Sequence, residues 1–249
     1  MAGKDPLLEG KRFLVSGGGR GLGGEICRVL GEAGARVIIA DLDLARASAC
    51  AASLRESGAD VEAIGVDVSD ADAVDRLFAE IGRAGGRLAG RLDGIINNAA
   101  IDITLPVEEV DTEQWRRVLM VNLYGPYLLA HAAVPLMKAQ RSGHIVNIAS
   151  TASKRAWPNA SAYHATKWGV LGFSHALHAE LRPHGIKVCA IVAGGMRTPF
   201  LLDRFPDIDT STLQDPANVA RAVRFVLTQP EETVIPELMV LPMKETSWP

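Results

Sequence analysis

Residues 12–24 read RFLVSGGGRGLGG, an apolar run that stops abruptly in glycines. RFLVSG (12–17) has the composition of a buried strand. GGEICRVLGEAG (23–34) places Ile26, Val29 and Leu30 at helical spacing and stops at Gly34, a suitable helix end. Gly17, Gly21 and Gly23 therefore form a G-x-x-x-G-x-G pattern where a strand turns into a helix. Glycines there let the backbone approach a pyrophosphate, whose charge sits at the helix N-terminus. A bare tight turn uses the same residues. The place of this one, between a strand and an amphipathic helix, favours a nucleotide.

The same alternation continues along the chain. RVIIAD (36–41), VEAIGVDV (61–68), DGIINNAA (93–100), HIVNIAS (144–150) and IKVCAIVA (186–193) are short apolar runs separated by segments of helical period. They are nearly continuous in apolar residues, the pattern of strands buried on both faces, so the sheet is expected to be parallel and covered on each side. Repeated strand–helix alternation predicts an α/β fold: a Rossmann-type, doubly wound parallel sheet of about seven strands. Residues 1–249 read as one domain, since no second core or internal repeat is visible, and the glycine-rich 82–94 reads as a surface loop. Asp41, at the end of the second run, is placed to accept hydrogen bonds from an adenosine ribose, with Asp43 as the helix cap.

Composition narrows the function. The 249 residues carry a net charge of −3 and no basic run, which gives nucleic acid or an anionic membrane nothing to bind. Cys27, Cys50 and Cys189 are widely spaced and read as reduced thiols. Without a targeting segment or a run of about 18 apolar residues, the protein is expected to be soluble and cytoplasmic, acting on small molecules. His175 and His178, three apart on a helix, lack an evident third metal ligand, so no metal is expected, and His164 reads as structural.

Residues 161–169, SAYHATKWG, put Tyr163 four residues before Lys167, which on a helix stacks the two on one face. Asp67-Val68, Asn97-Asn98-Ala99-Ala100, Asn122 within MVNLYGPY, and Ser150 thirteen residues before Tyr163 complete an ordered set with the glycine pattern. In this set the chain resembles the short-chain dehydrogenase/reductase family over nearly its whole length. Ser16 stands where threonine is usual, and Ala100 where the family's N-N-A-G ends in glycine. Val192-Ala193-Gly194 replaces N-P-G.

The resemblance implies an oxidoreductase that transfers a hydride between a nicotinamide cofactor and a secondary alcohol or ketone. Tyr163 is then the general acid/base, and Lys167 holds the nicotinamide ribose. Ser150 stabilises the substrate oxygen, while Asn122 holds a water linked to Lys167. The cofactor set it implies is Gly17, Arg20, Gly21, Leu22, Gly23, Asp41, Asp67, Val68, Asn98, Ala99, Tyr163, Lys167, Gly194 and Thr198. A free phenol has a pKa of about 10. An ammonium about 5 Å away is expected to lower it by roughly two units at an effective dielectric of about 20. Asp41 opposes a 2′-phosphate and Arg20 favours one, or pairs with Asp41, or stays solvated; the balance predicts NAD in preference to NADP.

The substrate is expected to meet Ser150, Trp157, Asn159, Tyr163 and Phe200, in a mainly apolar site under a lid near residues 199–216. Resemblance favours a homotetramer, and Trp248 in the tail, 241–249, is expected to pack across a subunit interface. Two alternatives stay open. One is an NADPH-dependent reductase, such as a 3-oxoacyl-carrier-protein reductase. The other is a non-enzymatic dinucleotide-binding regulator, which would have no need of the tyrosine–lysine pair.

Overall fold

A computed structural model of the protein describes residues 4–83 and 90–245. The central part of the glycine-rich loop, 84–89, and Trp248 lie outside the described residues. The strands are β1 (Arg12–Ser16), β2 (Arg36–Asp41), β3 (Asp60–Gly65), β4 (Gly94–Asn97), β5 (Gly143–Ser150), β6 (Ile186–Ala193) and β7 (Glu237–Val240). Among the described residues they form one sheet in the order β3-β2-β1-β4-β5-β6-β7, and every pairing is parallel.

The helices are α1 (Gly21–Glu32), α2 (Leu44–Glu56), α3 (Ala71–Gly82), α4 (Thr112–Leu119), α5 (Gly125–Gln140), α6 (Ser161–Leu181), α7 (Pro199–Leu202) and α8 (Pro216–Leu227). Successive strand residues point to opposite faces, and both faces are apolar. Phe13, Val15, Val37 and Ile39 pack with Ile26 and Leu30 of α1 and Val219 and Val223 of α8. Leu14, Ile38, Ile95 and Ile145 pack with Leu77 of α3 and Leu129 and Met137 of α5 on the other face. That two-sided burial is why the strands read as unbroken apolar runs.

Two strands end earlier than the sequence pattern suggests. The β2–β3 ladder closes at Asp41↔Gly65, so Val66, Asp67 and Val68 leave the sheet and turn toward α3, which Asp70 caps. β4 stops at Asn97, where the next residues are held by the end of β1. α1 ends one residue earlier than expected, with Ala33 at the cap and Gly34 beyond it at φ 90°. Such a positive φ suits glycine.

The continuous helical stretch Thr112–Gln140 has the length and mean hydropathy, 1.2, of a membrane span. Its apolar side is used in the interior, where Val118, Leu128, Leu129, Ala133 and Met137 are buried.

Candidate active site

The strand order reverses between β1 and β4, so the loops leaving their C-terminal ends diverge and open a crevice. A cavity of about 420 Å³ lies there. Its floor is the glycine turn. Gly17 has φ 63°, and a Cβ on it would fall 2.9 Å from Ala99 Cα. A Cβ on Gly23 would fall 2.0 Å from the Gly17 carbonyl oxygen, so α1 can pack against the turn only through glycine. Ser16 stitches the two loops together: its hydroxyl accepts from the backbone N–H groups of Asn98 (3.0 Å) and Ala99 (3.2 Å). Asn98 Nδ2 returns bonds to the Ser16 and Gly17 carbonyls. The substitution of serine for threonine leaves this hydroxyl function intact.

Asp41 lines one end of the cavity and is 7% exposed. Its Oδ2 accepts from Gly19 N at 3.0 Å and its Oδ1 from Asp43 N at 3.1 Å. Asp43 caps α2 as expected, by accepting from Arg46 N. Arg46 was not anticipated. Its guanidinium lies 3.7 Å from Asp41 and 3.1 Å from Asp43, in the cavity wall. Arg20 does not pair with Asp41: it meets Asp203 of the 199–216 segment at 3.3 Å, with its side chain half exposed. Asp67 and Val68 line the same end, and the Asp67 carboxylate is fixed by the backbone N–H and hydroxyl of Ser69.

At the other end, β5 delivers Ser150 and α6 delivers Tyr163 and Lys167, all in the cavity wall. Lys167 Nζ lies 5.5 Å from the Tyr163 ring centroid and donates to the Ile148 carbonyl at 2.8 Å. Ser150 hydrogen-bonds the phenol, and its Oγ also accepts from Ala152 N at 3.2 Å. Asn122 sits in a π-helical turn, Met120–Tyr124, between α4 and α5. Such turns are rare and re-aim side chains inside a helix. Its Oδ1 accepts from Ile101 N at 2.8 Å, while Nδ2 donates to the Ile101 carbonyl and to Thr166 Oγ1. Both amide hydrogens are thus engaged, and one lone pair of Oδ1 remains.

The expected lowering of the tyrosine pKa is reversed. Burial pushes Tyr163 up to about 12, eased by its hydrogen bond with Ser150, raised by Asp102 and lowered by Arg204. Burial also brings Lys167 down to about 8, with Asp102 opposing. The phenol is 8% exposed, and desolvating a phenolate here outweighs the attraction of the ammonium.

The expected substrate residues divide. Trp157 and Phe200 line the cavity, and the Phe200 ring lies 5.9 Å from that of Tyr163. Asn159 is exposed and absent from the wall. Its backbone has φ 64°, a left-handed conformation that asparagine tolerates well, and this accounts for its place before α6. His164 is structural. It contacts the Ala152 carbonyl through Nδ1 and accepts from Trp157 N through Nε2, with the indole packed 4.2 Å away. His175 bonds Glu237 instead of joining His178. Among the described residues no group of three or more His, Cys, Asp or Glu is placed to hold a metal ion.

The sequence pattern of the short chain dehydrogenase family matches residues 11–209. The chain belongs to the short-chain dehydrogenase/reductase family. A family member from Colletotrichum higginsianum is 37% identical over 203 residues, covering 80% of this chain and 74% of that one. Among solved structures, a metagenomic family member in complex with NADP aligns at a TM-score of 0.83 and 30% identity, covering 95% of this chain and 99% of that one. The 3-ketoacyl-(acyl-carrier-protein) reductase from Brucella melitensis, complexed with NADH, aligns at 0.86 and 30% identity, covering 95% and 98%.

Family motifs do not reach every residue in the wall. Leu22, Gly194 and Thr198 line it as expected, but so do Arg46, Asp102, Thr104, Arg117 and Arg204. Asp102 stands two residues beyond the Asn97–Ala100 motif, and its polarity beside that motif was the one available signal. Arg204 gave none, because its role depends on a contact across 102 positions of sequence.

Proposed function

We infer that the protein is a nicotinamide-dependent oxidoreductase interconverting a secondary alcohol and its ketone, with Tyr163 as general acid/base. One observation carries this reading: Ser150, Tyr163 and Lys167 converge on one wall of a cavity whose other end is a glycine turn at a helix N-terminus. The cradle fits a dinucleotide. Gly17 and Gly23 leave room where side chains would intrude, and Asp41 stands at the end of β2 for the ribose hydroxyls. Arg20, Gly21, Leu22, Asp67, Val68, Asn98, Ala99, Gly194 and Thr198 supply the remaining contacts, with Tyr163 and Lys167 at the nicotinamide ribose.

When bound, the nicotinamide supplies or accepts the hydride. In the direction of reduction, Tyr163 donates its phenolic proton to the carbonyl oxygen. Ser150 donates a hydrogen bond to the same oxygen as negative charge develops on it. Lys167 stabilises the phenolate left behind. At about 5 Å and an effective dielectric of about 20 such an attraction is worth about 3 kcal/mol. Ile148 fixes the ammonium, and Asn122 ties the loop after β4 to α6 while its free lone pair accepts from a water of the proton path. A phenol raised to about 12 is protonated at neutral pH, which suits it to the acid role in reduction.

NAD is the preferred cofactor in this reading, because a 2′-phosphate would face the Asp41 carboxylate. The neighbouring guanidinium of Arg46 supports a second reading, an NADPH-dependent reductase such as one acting on 3-oxoacyl thioesters. The chain then works as one domain with residues 199–216 as lid. Three free cysteines suit the reducing cytoplasm. Tyr124, Tyr127 and Trp168, exposed on the α5–α6 side, support a homo-oligomer, a tetramer by family resemblance.

The test is turnover of a panel of ketones with NADH and NADPH, and of secondary alcohols with NAD and NADP. Oxidation or reduction of any of them supports the reading. Tight dinucleotide binding without turnover of any member would favour a non-catalytic binder.

A further inference from the structure

The reaction as derived leaves one buried carboxylate in the cavity wall without a task. Asp102 follows β4, and its side chain is 8% exposed. Its Oδ2 is contacted by Arg204 Nη1 in an ion pair and by the Thr104 hydroxyl at 3.4 Å. Its Oδ1 is buried with no hydrogen-bond partner. Arg204 is anchored in turn: Nε donates to the Phe200 carbonyl at 3.0 Å, and the guanidinium lies 4.1 Å from the centre of the Phe200 ring. Phe200 is the ring packed on Tyr163. The pair therefore borders the reacting end of the cavity, and the Asp102 charge reaches both Tyr163 and Lys167.

An acceptor-only group and a donor-only group stand side by side in that wall. Together they are neutral, so neither a carboxylate nor an ammonium on the substrate gains a net attraction there. A hydroxyl fits both, donating to the unpartnered Oδ1 and accepting from the guanidinium. Oδ1 is covered, so a hydroxyl reaches it only after the side chains around it shift. An apolar group in its place would leave the carboxylate oxygen buried and unpaired.

Building on the alcohol–ketone reading, we propose that Asp102 and Arg204 are specificity-determining residues that select a substrate carrying a second hydroxyl beside the reacting carbon, as in a hydroxyketone, a vicinal diol or a polyol. The favoured substrate is thus neutral and polar at this end, while Phe200 and Trp157 cover its carbon skeleton.

The experiment compares 3-hydroxy-2-butanone with 3-methyl-2-butanone, in which a methyl group replaces the hydroxyl, using NADH or NADPH. The unmodified protein is expected to favour the hydroxyketone in kcat/KM by at least about a hundredfold, because sites built to bond a hydroxyl reject analogues lacking one. Replacing the pair together, Asp102→Leu with Arg204→Met, should bring the ratio within about threefold of unity, since apolar pairs of similar volume often substitute for buried ion pairs. Binding of NADH, followed by nicotinamide fluorescence, verifies that the variant is folded. If it does not bind, Asp102→Asn, which keeps the shape but loses the charge, takes over the test. It should cut the ratio at least about threefold.

A ratio near or below one in the unmodified protein, or a ratio unmoved by these changes, overturns the proposal. Turnover of both ketones at equal efficiency leaves the alcohol–ketone reading standing and refutes only the hydroxyl preference. No turnover of any ketone or alcohol contradicts the underlying reading itself.

Discussion

Lys167 Nζ lies 5.5 Å from the centre of the Tyr163 ring and is held there by the Ile148 carbonyl, 2.8 Å away. Both side chains are buried, at 4% and 8% exposure, so the same desolvation that keeps the phenol protonated also weakens the lysine's hold on its proton. In the proposed reaction the pair releases one proton and then stabilises the anion.

The pH dependence follows from this. Burial lowers Lys167 to about 8, and a lysine loses its charge as pH rises through its pKa. Tyr163, at about 12, stays protonated over that range. For ketone reduction, kcat/KM of the free enzyme should be flat near neutrality and fall as pH rises above about 8. A profile still flat at pH 10 would remove the lysine charge from the account.

In the proposed reading, cofactor choice rests on Asp41 and Arg46. At about 4 Å and an effective dielectric of about 20, the carboxylate opposes each phosphate charge by about 4 kcal/mol, less where solvent screens it. The Arg46 guanidinium, 3.7 Å from Asp41, offsets part of this. NAD should be preferred over NADP by at least about tenfold in kcat/KM. Asp41→Ser should narrow or reverse the ratio, and Arg46→Gln should widen it. Equal use of both cofactors by the unmodified protein would favour the NADPH-dependent reading.

The glycine turn gives a stability prediction. Gly23→Ala would place a methyl group 2.0 Å from the Gly17 carbonyl oxygen and 2.6 Å from Asn98 Nδ2. Backbone on one side and a bonded amide on the other leave little room to relax. Thermal melting should show a loss of about 1–3 kcal/mol, the usual range for overpacking. Calorimetry should show weakened dinucleotide binding. Unchanged melting and affinity would mean that α1 moves freely against the turn.

The sheet was legible because its residues are apolar on both faces. Phe13 and Val15 serve one core and Leu14 the other, which makes a strand visible without any partner in view. The convergence of Ser150, Tyr163 and Lys167 was legible because Tyr163 and Lys167 share one helix and Ser150 ends the strand before it. Tertiary placement decided the rest. The neighbouring residues Asp203 and Arg204 reach opposite partners, Arg20 and Asp102, and no local pattern encodes either pairing. Asn159 reads as a pocket residue by position, yet its left-handed backbone turns it into the loop before α6. The tyrosine shift was misjudged because its sign depends on burial, a property of the whole fold.

The most direct test of the central claim is Tyr163→Phe, which removes only the phenolic oxygen from a side chain packed against Phe200. Turnover of the best substrate found should fall by at least about a hundredfold, the lower range for loss of a general acid/base. The dissociation constant of the dinucleotide should stay within a few-fold of the unmodified protein. Near-normal turnover in this variant would contradict the account.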